Sequence, residues 1–222
     1  MMIKAILFDA YGTLISTGNG SVEAAGKILA LNGRDDTDSK AFYAQWKTFH
    51  RKHIDSLKSF VTEEKIFEMD LRELYKLYNI DGDYKADVRI MLDTLGKRTA
   101  YPEAREVLEQ LSRDYIVAIG STTDTTPLMS DLKRNGLNIP KVFTSESLEV
   151  YKPRRDFYEK ILAKLNVSAK EVLFVGDSLI DDVKGPQSVG MQTCLINRKG
   201  EAVGEIHPDY EIQNLRELFN IL

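Results

Sequence analysis

Apolar residues along this chain gather in short unbroken runs that each close on polar residues: Ile3-Lys4-Ala5-Ile6-Leu7-Phe8-Asp9, then 115–121, 141–144, 172–177 and 192–196. Runs of that length, rich in Ile, Leu, Val and Phe, predict buried strands. Helical patterns fall between them: 102–113 with Pro102 at its start, 127–135 closed by Gly136, 154–166, and a short one over 181–189 closed by Gly190. Continuous apolar strands alternating with helices predict an α/β, doubly wound parallel sheet covered on both faces. Ligands in such sheets collect at the carboxyl ends of the strands. His207-Pro208-Asp209 predicts a last turn before a short C-terminal strand and helix.

Residues 21–96 break the alternation. Phe42, Tyr43, Trp46, Phe49, Leu57 and Phe60 recur at helical spacing, as do Ile66, Met69, Leu71, Leu74, Tyr75 and Tyr78. This predicts a helical insertion after the first strand, with most of these aromatics packed between its helices. His50 and His53 stand three apart on one of those helices and are read as surface positions, since no third metal ligand is near in sequence.

Composition narrows the partners. With 30 Lys+Arg against 34 Asp+Glu the formal charge is −4, which removes the net basic field of an electrostatic nucleic-acid binder. A small-molecule partner is expected instead. No apolar stretch reaches the roughly 18 residues of a membrane span, and the first run ends at Asp9, which predicts no signal peptide, no membrane association and a cytoplasmic location. The one cysteine, Cys194, sits in an apolar run and reads as an inert buried strand residue. Oligomeric state is not written in this pattern.

Four strand ends carry reactive groups: Asp9, Ser121, Lys152, and Asp177 with Asp181 and Asp182. A carboxylate such as Asp9 can attack an electrophile and form a covalent intermediate that water resolves. Ser121, assisted by Thr122 and Thr123, can donate to a transferred oxygen, and Lys152 can offset developing negative charge. Asp177 would lie near Asp9 and repel it unless a cation intervened. Mg²⁺, which takes carboxylates, carbonyls and water, suits Asp9, the Tyr11 carbonyl and Asp177, with Asp182 or Asp181 behind them.

Asp9-Ala10-Tyr11-Gly12-Thr13-Leu14, Ser121, Lys152-Pro153 and Gly176-Asp177-Ser178 followed by Asp181-Asp182 resemble the four motifs of the haloacid dehalogenase (HAD) superfamily of hydrolases. The resemblance spans nearly the whole chain. It implies a Rossmann-like core over 1–16 and 97–222 and an α-helical cap over 17–96, and Tyr101-Pro102-Glu103-Ala104 is similar to the family's return into the core. It further implies a catalytic set of Asp9, Tyr11, Thr13, Ser121 and Lys152, and a metal set of Asp9, Tyr11, Asp177 and Asp182.

Two motifs pull in different directions. Family phosphatases carry an aspartate two residues after the nucleophile as acid and base, where this chain has Tyr11; Asp-x-Tyr-Gly-Thr is the form of the 2-haloacid dehalogenases. Those dehalogenases resemble Ser-Asn at positions 176–177 and work without metal, whereas Gly176-Asp177 is similar to the metal-binding phosphatase form. They also carry a cap arginine for the substrate carboxylate. The matching position is Lys47, which lacks the bidentate fork, and Arg51 one turn on is the candidate replacement. The expectation is a Mg²⁺-dependent phosphatase for a small phosphorylated metabolite, slow or selective because of Tyr11. A metal-free 2-haloacid dehalogenase and a non-catalytic ligand-binding member are the alternatives.

Overall fold

The structure is a computed structural model and describes residues 2–222. Six parallel strands form one sheet in the order β3-β2-β1-β4-β5-β6: β1 Ala5–Phe8, β2 Ile116–Ser121, β3 Lys141–Thr144, β4 Val172–Gly176, β5 Gln192–Ile196 and β6 Tyr210–Ile212. This is the doubly wound α/β arrangement. β1 is central, with Phe8 in register with Ile119 on one side and Val175 on the other.

Alternate residues of each strand feed opposite faces, and both faces are covered. Ile6, Phe8, Val117, Ile119, Leu173 and Val175 pack on one side with Val107 and Leu111 of the helix Ala104–Leu111 and Leu128 and Leu132 of the helix Thr125–Arg134. Ala5, Leu7, Ala118 and Phe174 pack on the other with Phe157, Tyr158 and Ile161 of the helix Arg155–Leu165. Burial on both sides is why the strands read as unbroken apolar runs rather than alternating ones. Cys194 lies fully buried in β5, and burial pushes its thiol up to about 12, so it is no nucleophile at neutral pH.

The helix expected over 181–189 takes a different form. A wide π-type turn spans Leu179–Lys184, and a single α turn, Gly185–Gln187, follows it. Pro186 in that second turn has no N–H to return to a preceding carbonyl, so a regular α ladder cannot run through the segment. The C-terminal strand is β6, and the chain closes in the 3₁₀ turn Leu215–Asn220.

Contacts divide the chain into two compact units. One, the sheet unit, ends its first stretch at Ser16 and resumes with Thr99–Leu222; the other is Thr17–Arg98. Within the sheet unit, Ile15 bridges Ala100 and the Ser16 N–H donates to the Thr99 carbonyl (2.9 Å), so the departing and returning segments run side by side. The helical unit holds four helices: α1 Gly20–Leu31, α2 Ser39–Ser56, α3 Glu63–Tyr78 and α4 Tyr84–Leu92. Phe42, Trp46, Leu71, Leu74 and Tyr75 are buried between them, with Tyr43, Phe49 and Tyr78 packed against that core.

At the centre of this unit lies a polar cluster. Asp70 of α3 is fully buried and accepts from Trp46 Nε1 (3.1 Å), while His50 Nδ1 and His53 Nδ1 lie 2.8 and 2.6 Å from its oxygens. The reading of the two histidines as surface groups is therefore corrected. A carboxylate can only accept, so each Nδ1 carries the proton, and the helix turns its imidazoles inward to meet a buried charge that needs donors. Among the described residues no helix is long and apolar enough to cross a membrane.

Candidate active site

Parallel pairing of β1 with β2 and β4 puts Asp9, Ser121 and Asp177 at one edge of the sheet. Asp9 follows β1 directly and its N–H donates to the Val175 carbonyl (2.8 Å), which continues the ladder one residue past the strand. Its carboxylate is almost buried. Lys152, 1% exposed, donates to Asp9 Oδ1 and to Asp182 Oδ1, both at 2.8 Å, and its ammonium lies 5.0 Å from the Phe174 ring. Burial disfavours the ammonium, but Asp182 and Asp9 outweigh it and hold the lysine above its usual value, so it stays charged.

Asp9, Asp177 and Asp182 each offer a carboxylate oxygen, and these oxygens lie within 4.8 Å of one another. Two glycines make the approach possible. Gly12 has φ +94°, and a Cβ there would sit 2.2 Å from Asp177 Oδ2; a Cβ on Gly176 would sit 2.3 Å from the Asp182 carboxyl carbon. The π-type turn delivers Asp182: its Oδ2 accepts from the Ser178 N–H (2.9 Å), and Ser178 Oγ accepts from the Asp181 N–H (3.1 Å).

Three carboxylates around one lysine leave excess negative charge. Desolvation raises Asp9 to about 6, against the pull of Lys152 and with the push of Asp177. Desolvation, then repulsion from Asp182, raises Asp177 to about 6, although that residue is exposed at the rim. Asp182 is raised most, to about 7, by burial against the pull of Lys152 and with the repulsion of Asp9. A cluster held this far above the ordinary carboxylate range is relieved by a divalent cation as well as by protons. The donor set, hard oxygens in a cradle that glycine alone leaves open, fits Mg²⁺.

The other expected residues are distributed as follows. Ser121 is buried at the end of β2, with Thr122 half-buried beside it. Thr13 is fully buried, and its hydroxyl has no hydrogen-bond partner among the described residues. The Tyr11 hydroxyl donates to Asp131 Oδ2 of the helix Thr125–Arg134 (2.9 Å), a buried carboxylate that the sequence did not mark. Lys47 and Arg51 both lie on α2 of the helical unit: the Lys47 ammonium is 5.6 Å from the Tyr43 ring centre, and Arg51 is 3.7 Å from the Asp55 carboxylate.

Sequence reasoning also missed Arg198. It stands just past β5, so the polar-residue-after-an-apolar-strand grammar that marked Asp9 and Asp177 could have found it. Its guanidinium donates to the Gly12 and Thr13 carbonyls and to Glu103.

A doubly wound parallel sheet that gathers Asp9, Lys152, Asp177 and Asp182 at one edge is the arrangement that the HAD resemblance implies. The family model for haloacid dehalogenase-like hydrolases matches residues 3–190, and the chain belongs to that family. It is similar to the HAD-hydrolase YfnB of Bacillus subtilis (strain 168), 39% identical over 229 residues that cover 99% of this chain and 95% of the relative. It is also similar to (S)-2-haloacid dehalogenase 4A of Burkholderia cepacia, 28% identical over 229 residues that cover 99% and 92%. Other relatives carry phosphatase names. The crystal structure of YfnB bound to magnesium superposes with a TM-score of 0.85 over 100% of this chain and 99% of that one; at 23% identity this likeness is one of fold.

Proposed function

We propose that this protein is a phosphohydrolase that transfers the phosphoryl group of a small metabolite to Asp9 and then to water, with Mg²⁺ held by Asp9, the Tyr11 carbonyl, Asp177 and Asp182. One observation carries the reading: three carboxylates gathered within 4.8 Å and matched by a single buried lysine. A bound Mg²⁺ neutralises phosphate oxygens and the nucleophile together.

The chain's own residues do the remainder. Lys152 holds the Asp9 carboxylate ionised and aimed. Asp9 attacks phosphorus, the bond from phosphorus to the leaving oxygen breaks, and that oxygen departs with the electron pair. Ser121, Thr122 and the unpartnered Thr13 hydroxyl supply hydrogen bonds to the transferred oxygens. Water then attacks phosphorus, the bond from phosphorus to the Asp9 oxygen breaks with its electron pair returning to the carboxylate, and the water's proton passes to solvent as phosphate is released. Because the Tyr11 hydroxyl is given to Asp131, the leaving group receives no proton from position 11, and the best substrates have leaving groups of low pKa, such as acyl or aryl phosphates.

The second reading is a 2-haloacid dehalogenase working through an aspartyl ester on Asp9. Tyr11 and the similarity to the Burkholderia cepacia enzyme favour it, since a halide leaves without a proton. A panel of aryl, acyl and sugar phosphates is assayed for phosphate release with Mg²⁺ and with EDTA, beside Asp9→Asn and Tyr11→Asp. The expected result is release abolished by EDTA and by Asp9→Asn. In Tyr11→Asp, turnover of sugar phosphates rises by about 10²-fold, the low end of what a positioned acid supplies. Chloride release from 2-chloropropionate that ignores EDTA would replace this reading with the second one. Release of neither product would leave a ligand-binding protein.

A further inference from the structure

The loop that follows Asp9 does not satisfy itself. Gly12 N–H donates to the Ile15 carbonyl (2.7 Å), and Leu14 and Ile15 N–H both donate to the Ala10 carbonyl (2.9 and 2.8 Å). None of these bonds uses the carbonyls of Gly12 or Thr13. Both are taken by a residue from the far end of the chain: Arg198 Nε donates to the Gly12 carbonyl (3.3 Å) and Nη2 to the Thr13 carbonyl (2.8 Å).

The same guanidinium reaches the returning segment. Nη1 donates to Glu103 Oε1 (2.8 Å), Glu103 is 3% exposed, and the guanidinium carbon lies 3.4 Å from the centre of the Tyr101 ring. One planar group thus serves three acceptors and stacks on an aromatic face. A lysine ammonium cannot do this, because its donors radiate from a point and it has no plane to stack.

We propose that Arg198 is the positioning residue of the nucleophile loop: its guanidinium sets the peptide planes of residues 12 and 13, and thereby the placement of Asp9 and of Gly12 against Asp177. It touches no reacting atom. Through Glu103 and Tyr101 it locks that loop to the segment by which the chain returns at Thr99. Its effect on turnover rests on the function proposed above; its effect on the loop does not.

The test uses the full chain with Arg198→Lys and Arg198→Gln, read in two ways. Amide hydrogen exchange is followed across residues 9–16 with β4 and β5 as internal references, and kcat and KM are measured on the best substrate of the panel. The expected result is exchange accelerated by about 10-fold or more over residues 12–15 in both variants, with the reference strands unchanged. Turnover should fall by about 10²-fold in kcat, the scale of a misplacement of about 1 Å, with KM within about 3-fold. Lysine should rescue no more than a small part of the loss.

Unchanged exchange at residues 12–15, a KM effect without a kcat effect, or full rescue by lysine would each overturn the proposal. So would faster exchange everywhere in both variants, which would make Arg198 a general stabiliser. If the wild-type protein turns over no substrate, the proposed function fails and the exchange pattern alone decides the role of Arg198.

Discussion

Raising the pH of the metal-free protein from about 5 to about 8 is expected to weaken its fold, and Mg²⁺ is expected to remove that weakening. Asp182, 1% exposed, is moved from 3.8 to about 7 in the folded state. A carboxyl group with a raised folded value binds more protons folded than unfolded between those two values, so stability is lost as pH climbs through them. The whole shift of roughly three units corresponds to about 4 kcal/mol, of which about 2–3 kcal/mol falls between about pH 5 and pH 8. Asp9 shifts in the same direction but shares its repulsion with Asp182, so the two are not summed. Asp177 is left out because solvent screens it.

For a chain of this length about 2–3 kcal/mol is roughly 5–10 °C in Tm. The assay is thermal unfolding in EDTA across that pH range, repeated with about 5 mM Mg²⁺ and with Asp182→Asn. The expected curve falls with pH in EDTA and flattens both with Mg²⁺ and in the variant. Lys152 is held above its usual value and stays charged throughout, so it adds no slope. A metal-free Tm that is level or rising over this range, or an equal fall in Asp182→Asn, would refute the reasoning about the cluster.

Two further outcomes follow from the packing. Gly12→Ala combines φ +94° with a Cβ 2.2 Å from Asp177 Oδ2, so the fold should lose about 1–3 kcal/mol and the Mg²⁺-induced rise in Tm should vanish; a wild-type rise in the variant would contradict the cradle. Asp70→Asn leaves one carbonyl for three donors and should cost about 2–4 kcal/mol, read by thermal unfolding through the fluorescence of Trp46, the only tryptophan, which lies beside the change. A cost under about 1 kcal/mol would show that water satisfies those donors equally well.

The legible part of this molecule is what depends on neighbours in sequence. The strands were readable because both faces are buried, and Asp9, Ser121 and Asp177 were readable because strand ends carry ligands in such sheets. The sheet's parallel pairing then brings these positions to one edge whatever lies between them. Partners chosen by three-dimensional packing left no such trace. Tyr11 meets Asp131 across 120 positions, Arg198 meets Thr13 across 185, and Asp70 meets Trp46 across 24. Gly12 and Gly176 could be quoted as motif letters, but the reason for glycine, a carboxylate lying where a Cβ would be, exists only once residues 177 and 182 are in place. The acceptor that turns His50 and His53 inward, Asp70, lies on another helix 20 and 17 positions away, so no local pattern around the histidines marks it.

The central place of β1 in the sheet bears on how the chain reaches this state. Ala5 pairs with Ile116 on one edge and Val172 on the other, so β1 is not enclosed until β4, more than 160 residues further along the chain, has been made. The helical unit, Thr17–Arg98, is made before either partner. Through that interval a fully apolar strand carries two unpaired edges, which is the condition for pairing with a second nascent chain. Expression at low temperature or with a chaperone that shields β1 should therefore raise the soluble yield.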